Sequence, residues 1–168
     1  MLWLARSLRR SLGAGVQVRC VQYRLRGWNN PSLDALRDAE AALASMRRSV
    51  EPDKLVLVGH SMGARVAAHL SATAGVSGVV ALAPWWPRAD ADLVPTTSRL
   101  LVLHGTDDTW TDPRSSLAQT RRAKARGVNA QWLGIEGGDH YLLRDWRRWH
   151  RLTAEFVAEQ LGDAEQGP

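Results

Sequence analysis

The stretch Leu55-Val56-Leu57-Val58-Gly59-His60-Ser61-Met62-Gly63 decides the fold. Four apolar residues run into a Gly-x-Ser-x-Gly turn, and an Ala-rich segment starts at Ala64. A short apolar run of this kind reads as a strand buried on both faces, as in a parallel sheet covered by helices. The turn that follows passes straight from strand to helix and holds the Ser61 hydroxyl at a helix N-terminus. Glycine is expected on both flanks, because a Cβ would clash in so strained a turn.

Working outward, hydrophobic period and punctuation predict helix 2–12, strand 16–23, helix 33–49, strand 54–58, helix 62–73 and strand 76–82. A Pro/Trp-rich loop covers 83–98, followed by strand 99–104, helix 114–126, strand 129–135 and helix 145–161. Ser32 is the expected N-cap of the second helix, whose Leu33, Leu36, Leu43 and Met46 should face inward and which should stop at Glu51-Pro52-Asp53. Alternation of strands with helices means right-handed crossovers between parallel strands. The expected fold class is α/β, a mostly parallel sheet of about five strands with helices on both faces. It forms one domain over 1–161, with a polar tail over 162–168.

The 168 residues, 45% apolar and 23% charged, fit one globular domain and exclude a disordered chain. No uninterrupted apolar run reaches the length of a membrane-spanning helix, so no membrane span is expected. A lone Cys20 excludes an internal disulfide or a cysteine-based metal site and points to a reducing, cytoplasmic setting. The net charge of +5 comes from 20 Arg scattered along the chain, which speaks against a nucleic-acid partner. Arg144, Arg147, Arg148 and Arg151 read as the solvated face of a helix whose other face carries Trp146, Trp149, Phe156 and Val157. Six Arg and no acid in the first 33 residues superficially resemble a transit peptide, but Leu4, Leu8 and Leu12 read as the stripe of an ordinary amphipathic helix.

A serine hydroxyl is a weak nucleophile at neutral pH and needs a histidine base oriented by an acid. Both lie downstream at strand ends: Leu101-Val102-Leu103-His104-Gly105-Thr106-Asp107-Asp108 and Ile135-Glu136-Gly137-Gly138-Asp139-His140. In a parallel sheet these ends share the carboxyl edge, where sites form. Asp112 before Pro113 is explained as a helix N-cap, and Asp139 adjoins His140 too closely to reach its ring. Asp107 and Asp108 remain as acids. His104 closing a strand, His69 and His150 on helices and His60 in the turn each have a structural explanation.

These motifs, in the order Ser, Asp, His, resemble the α/β-hydrolase superfamily, and most closely its small single-domain esterase-like members. The resemblance implies Asp108 as the acid, with Asp107 as fallback, and the Met62 backbone N–H as one oxyanion donor. It also implies a serine hydrolase acting on an ester or thioester through an acyl-enzyme, with a small-molecule acyl substrate and no cofactor. Trp85 and Trp86 in Ala83-Pro84-Trp85-Trp86-Pro87, together with Trp110, are expected to border an apolar acyl pocket.

The chain departs from the pattern at its start, where the family's strand and HG loop upstream of the first helix have no counterpart. The expectations are a truncated core with an incomplete oxyanion hole, a non-catalytic paralogue, or a sheet that closes over the gap. Strand 16–23 should then either pair with strand 54–58 or stand about two strand spacings away, roughly 9–10 Å.

Overall fold

The computed structural model describes residues 1–49 and 54–162. Among the described residues four parallel strands form one sheet: β1 (Leu55–His60), β2 (Val76–Leu82), β3 (Arg99–Gly105) and β4 (Ala130–Ile135), side by side in that order. Five helices of the described residues accompany them: α1 (Leu2–Ser11), α2 (Asp34–Ser49), α3 (Met62–Leu70), α4 (Pro113–Ala125) and α5 (Trp146–Gly162). A 3₁₀ turn over Asp90–Leu93 interrupts the loop after β2.

The two-residue period of the strands divides the core in two. Val79 and Ala81 of β2, with Leu100 and Val102 of β3, face Ala64, Ala67 and Ala68 of α3 and Ala123 of α4. Val80, Leu82, Leu101 and Leu103 point the other way, onto Leu4 and Leu8 of α1 and Trp149, Phe156 and Val157 of α5. Val79 through Leu82 are wholly buried. Val79, Val80 and Leu82 each contribute about 1.5–3 kcal/mol of burial energy. The alanines let α3 lie close to the sheet, which fixes where its N-terminus opens.

Several expectations change here. Residues 16–23 join no ladder among the described residues, so they are not a strand. Val16 and Val18 still pack into the α1–α5 cluster beside Val56 and Val58, and the Arg9 guanidinium donates to the Val18 carbonyl at 2.9 and 3.2 Å. Apolar contact therefore anchors the segment without the backbone pairing that defines a strand. Among the described residues β1 is paired on one side only, and Leu55 to Val58 are half-buried.

In α2 the buried residues are Ala35 and Ala39, packed on Val66 and Leu70 of α3; Leu33, Leu36, Leu43 and Met46 are half-buried. Small residues win the interface because they allow close approach of two helices. Ser32 does not cap α2 as an acceptor; its hydroxyl donates to the Asn29 carbonyl and the Asp34 carboxylate. Trp146 lies on the solvent side of α5, 45% exposed, under the Arg147 guanidinium. The expected stop at Glu51-Pro52-Asp53 lies outside the described residues. So does the polar tail from 163 onward, since Gly162 still closes α5.

Candidate active site

Ser61 stands between the last residue of β1 and the first of α3, with φ 53° and ψ −117°. A non-glycine residue is strained there and persists only because its surroundings fix it. The fixing bonds come from the end of β2: Ser61 N–H donates to the Leu82 carbonyl at 2.9 Å, and the Ser61 carbonyl accepts from Trp85 N–H at 3.1 Å. A Cβ on Gly59 would overlap the Gly63 backbone, as the turn requires. Gly63 does not repeat this. A Cβ there would meet only the Tyr23 hydroxyl oxygen at 3.7 Å, an ordinary contact, so only one flank needs glycine for want of space.

The loops after β3 and β4 are bonded to each other. Thr106 N–H donates to the Ile135 carbonyl, Asp107 N–H to the Gly138 carbonyl, and Gly137 N–H to the Thr106 hydroxyl. A Cβ on Gly105 would overlap Gly138, so a side chain at 105 would force the two loops apart. Their closeness brings Asp108 to His140. Asp108 Oδ2 lies 2.8 Å from His140 Nδ1, and His140 Nε2 lies 3.1 Å from Ser61 Oγ. Both Asp108 and His140 are buried.

Protons can be assigned from acceptor capacity. An ionised carboxylate only accepts, so His140 Nδ1 carries a hydrogen, and in the neutral imidazole Nε2 accepts from the Ser61 hydroxyl. Burial pushes the Asp108 carboxyl upward. The donors around it, Thr111 N–H, His140 Nδ1–H, the Thr111 hydroxyl and Trp110 N–H, outweigh burial and hold it down at about 2. Asp108 is thus a fixed anion at neutral pH. Asp107 points away, with its side chain 59% exposed and 3.6 Å from Arg144. Asp139 accepts from Tyr141 and Leu143 N–H in its own turn, and Asp112 caps α4 through Arg114 N–H.

Three contributors escaped the sequence reading. His60 Nε2 donates to the His140 carbonyl at 2.7 Å, and burial lowers its pKa to about 4, so the ring is neutral at pH 7. Thr111 gives Asp108 both its N–H and its hydroxyl. His104, wholly buried, places Nε2 3.1 Å from Asp108 Oδ2, a contact that no local sequence pattern signals because His104 lies in β3 and Asp108 in the loop beyond it. Met62 opens α3, where a backbone N–H has no intrahelical acceptor and is free to bind an anion.

The tryptophans separate. Trp110 is 71% exposed, with its ring stacked 6.1 Å from that of His140. Trp85 follows the bond to Ser61 and is half-exposed. Trp86 is buried in the α3-side core, its carbonyl accepting from Gln119, so it is a packing residue and not a pocket wall. Among the described residues no cluster of three metal-ligating side chains occurs, and no helix is long and apolar enough to cross a membrane.

The model of the alpha/beta hydrolase family matches residues 2–165. Among solved structures, an alpha-beta serine hydrolase homologue from Coxiella burnetii is 19% identical at a TM-score of 0.65, covering 83% of this chain. The chain spans 66% of that protein's length, just under two thirds. A putative alpha/beta hydrolase from Agrobacterium tumefaciens is 16% identical at a TM-score of 0.72, over 86% of this chain and 68% of its own. Est1E from Butyrivibrio proteoclasticus is 16% identical at a TM-score of 0.66, over 77% of this chain and 70% of its own. At these identities the likeness concerns the fold. No curated protein matches the chain in sequence.

Proposed function

The chain belongs to the alpha/beta hydrolase family, and from that premise we propose that it is a serine hydrolase opening a carboxylic ester or thioester through an acyl-enzyme. Residues 1–161 act as one domain. Ser61 Oγ attacks the acyl carbonyl while His140 Nε2 takes its proton; Asp108 holds the imidazole in the required tautomer and stabilises the imidazolium. The carbonyl oxygen becomes an oxyanion beside Met62 N–H. As the intermediate collapses, the C–O or C–S bond breaks and the leaving alcohol or thiol takes the proton back from Nε2. Water, deprotonated by the same nitrogen, then releases the acid and restores Ser61.

One observation carries the reading: the His140 ring bridges Ser61 Oγ at 3.1 Å and Asp108 Oδ2 at 2.8 Å. Trp85, whose N–H bonds the Ser61 carbonyl, and Trp110, stacked on His140, are both exposed and supply the apolar wall for a small-molecule acyl group. No cofactor, metal or nucleic acid enters the mechanism. The free, exposed Cys20 supports a cytoplasmic setting.

A rival reading, a non-catalytic relative, is favoured by β1 lacking a partner strand on its outer side among the described residues. That is the side on which the fold builds its second oxyanion donor, whose loss costs about 2.7–4 kcal/mol in catalysis. Turnover of aryl esters with graded acyl chains separates the two. The hydrolase reading expects turnover that falls about 10⁴-fold or more in Ser61→Ala, and a changed chain-length preference in Trp110→Ala. Equal turnover by wild type and Ser61→Ala overturns it.

A further inference from the structure

The anion Asp108 is held from two sides, and the inner side consists of a second histidine with its own relay. Trp132 Nε1, which can only donate, lies 2.9 Å from Ser116 Oγ. Ser116 has one hydroxyl proton and two acceptors in reach, His104 Nδ1 at 2.8 Å and the Pro113 carbonyl at 2.9 Å. His104 Nε2 faces the Asp108 carboxylate at 3.1 Å and must carry a hydrogen to do so. Complete burial keeps the ring neutral, because a charged imidazolium there would lose its hydration. A neutral ring with hydrogen on Nε2 has a bare Nδ1, and only the Ser116 hydroxyl can satisfy it. Thr111 Oγ1 also lies 3.2 Å from His104 Nε2 and 2.8 Å from Asp108 Oδ2; with its hydroxyl hydrogen on Asp108, every group is satisfied when Trp132 donates to Ser116, Ser116 to His104, and His104 to Asp108.

We propose that His104 is a positioning residue for the catalytic acid, donating from the interior to Asp108 Oδ2, the oxygen that His140 Nδ1 also reaches. It fixes the rotation of the carboxylate and withdraws part of its charge from His140. This rests on the serine-hydrolase reading. The titratable groups facing His104 are Asp108 and His140; those facing His140 are Asp108, His60 with its ring 4.8 Å away and Tyr141 at 6.0 Å.

Removing one donor makes a carboxylate more basic, and the base it orients then holds its proton more tightly. In His104→Leu the acidic limb of the kcat/KM profile for an aryl ester should move up by about half a unit to one unit, with about a tenfold loss of kcat/KM. His104→Gln, which retains an amide donor, should restore much of both. Trp132→Phe, at a half-buried site, should move the limb the same way by less.

A purely structural His104 would reduce the yield of folded protein and leave the limb in place, and that result overturns the proposal. Should His104→Leu not fold, nitrogen-15 NMR of the wild-type imidazoles decides. At about pH 7.5 the neutral tautomer with hydrogen on Nε2 is expected, and hydrogen on Nδ1 alone or an imidazolium at that pH overturns it. Labelling of wild type and Ser61→Ala with a fluorophosphonate reports on the serine-hydrolase reading separately. An unlabelled wild type sinks that reading, while the tautomer still tests the inner relay.

Discussion

A Cβ placed on Gly59 would overlap the backbone of Gly63, four residues on, whereas a Cβ on Gly63 finds room beside the Tyr23 hydroxyl. The two glycines of one motif thus answer to different constraints. Gly59→Ala should lower stability by about 3 kcal/mol or prevent folding, since backbone cannot yield as a flexible side chain can. Gly63→Ala, in the first turn of α3, should stay within about 1 kcal/mol of wild type. Urea unfolding of the two variants checks the order, and equal costs would contradict it.

Acid should weaken the fold well above the range where carboxylates titrate. His60 drops from 6.5 to about 4 because burial disfavours its charged form. Between those values the unfolded chain binds a proton that the native ring refuses, so stability is full above about pH 6.5 and falls as pH drops toward 4, by about 3 kcal/mol. His104 and His150, also lowered by burial, act in the same direction. Asp108, lowered from 3.8 to about 2, adds a further loss only below its ordinary range. Unfolding free energies at pH 7 and 4.5 should show the drop, and His60→Gln should flatten it.

Arg65 ties the helix behind Ser61 to the loop that carries the tryptophans. Its Nε lies 2.8 Å from Asp90 Oδ1, and its guanidinium lies over the rings of Trp28 at 4.1 Å and Trp85 at 5.0 Å. The Arg65 and Asp90 side chains are only 11% and 3% exposed. Arg65→Met leaves a buried carboxylate without its main cation and should cost about 3–5 kcal/mol. Adding Asp90→Leu should recover a large part, a coupling that a double-mutant cycle measures.

The sheet was legible because β1 to β4 lie between strong turn signals, and for β2 and β3, the apolar runs buried on both faces, local pattern suffices. Segment 16–23 has equally good strand composition, yet a strand exists only with a hydrogen-bonded neighbour, which no local pattern reports. In α2 the large apolar residues drew attention, whereas the interface selected Ala35 and Ala39 for closeness. At the candidate site, Ser61 and His140 stand out because each follows a strand in a recognisable turn, whereas the local pattern leaves Asp107 and Asp108 open and the family resemblance alone points to Asp108. His104 and Ser116 do not stand out, since a histidine inside a strand and a serine inside a helix look ordinary until the fold places them 2.8 Å apart.

Ser61 as the proposed nucleophile, activated through His140, is tested by mass spectrometry of the intact protein and its peptides after exposure to a fluorophosphonate. One adduct is expected on the wild-type chain, located on Ser61, greatly slowed in His140→Ala and absent in Ser61→Ala. A folded wild type that takes no adduct, or a Ser61→Ala variant labelled to the same extent, would contradict it.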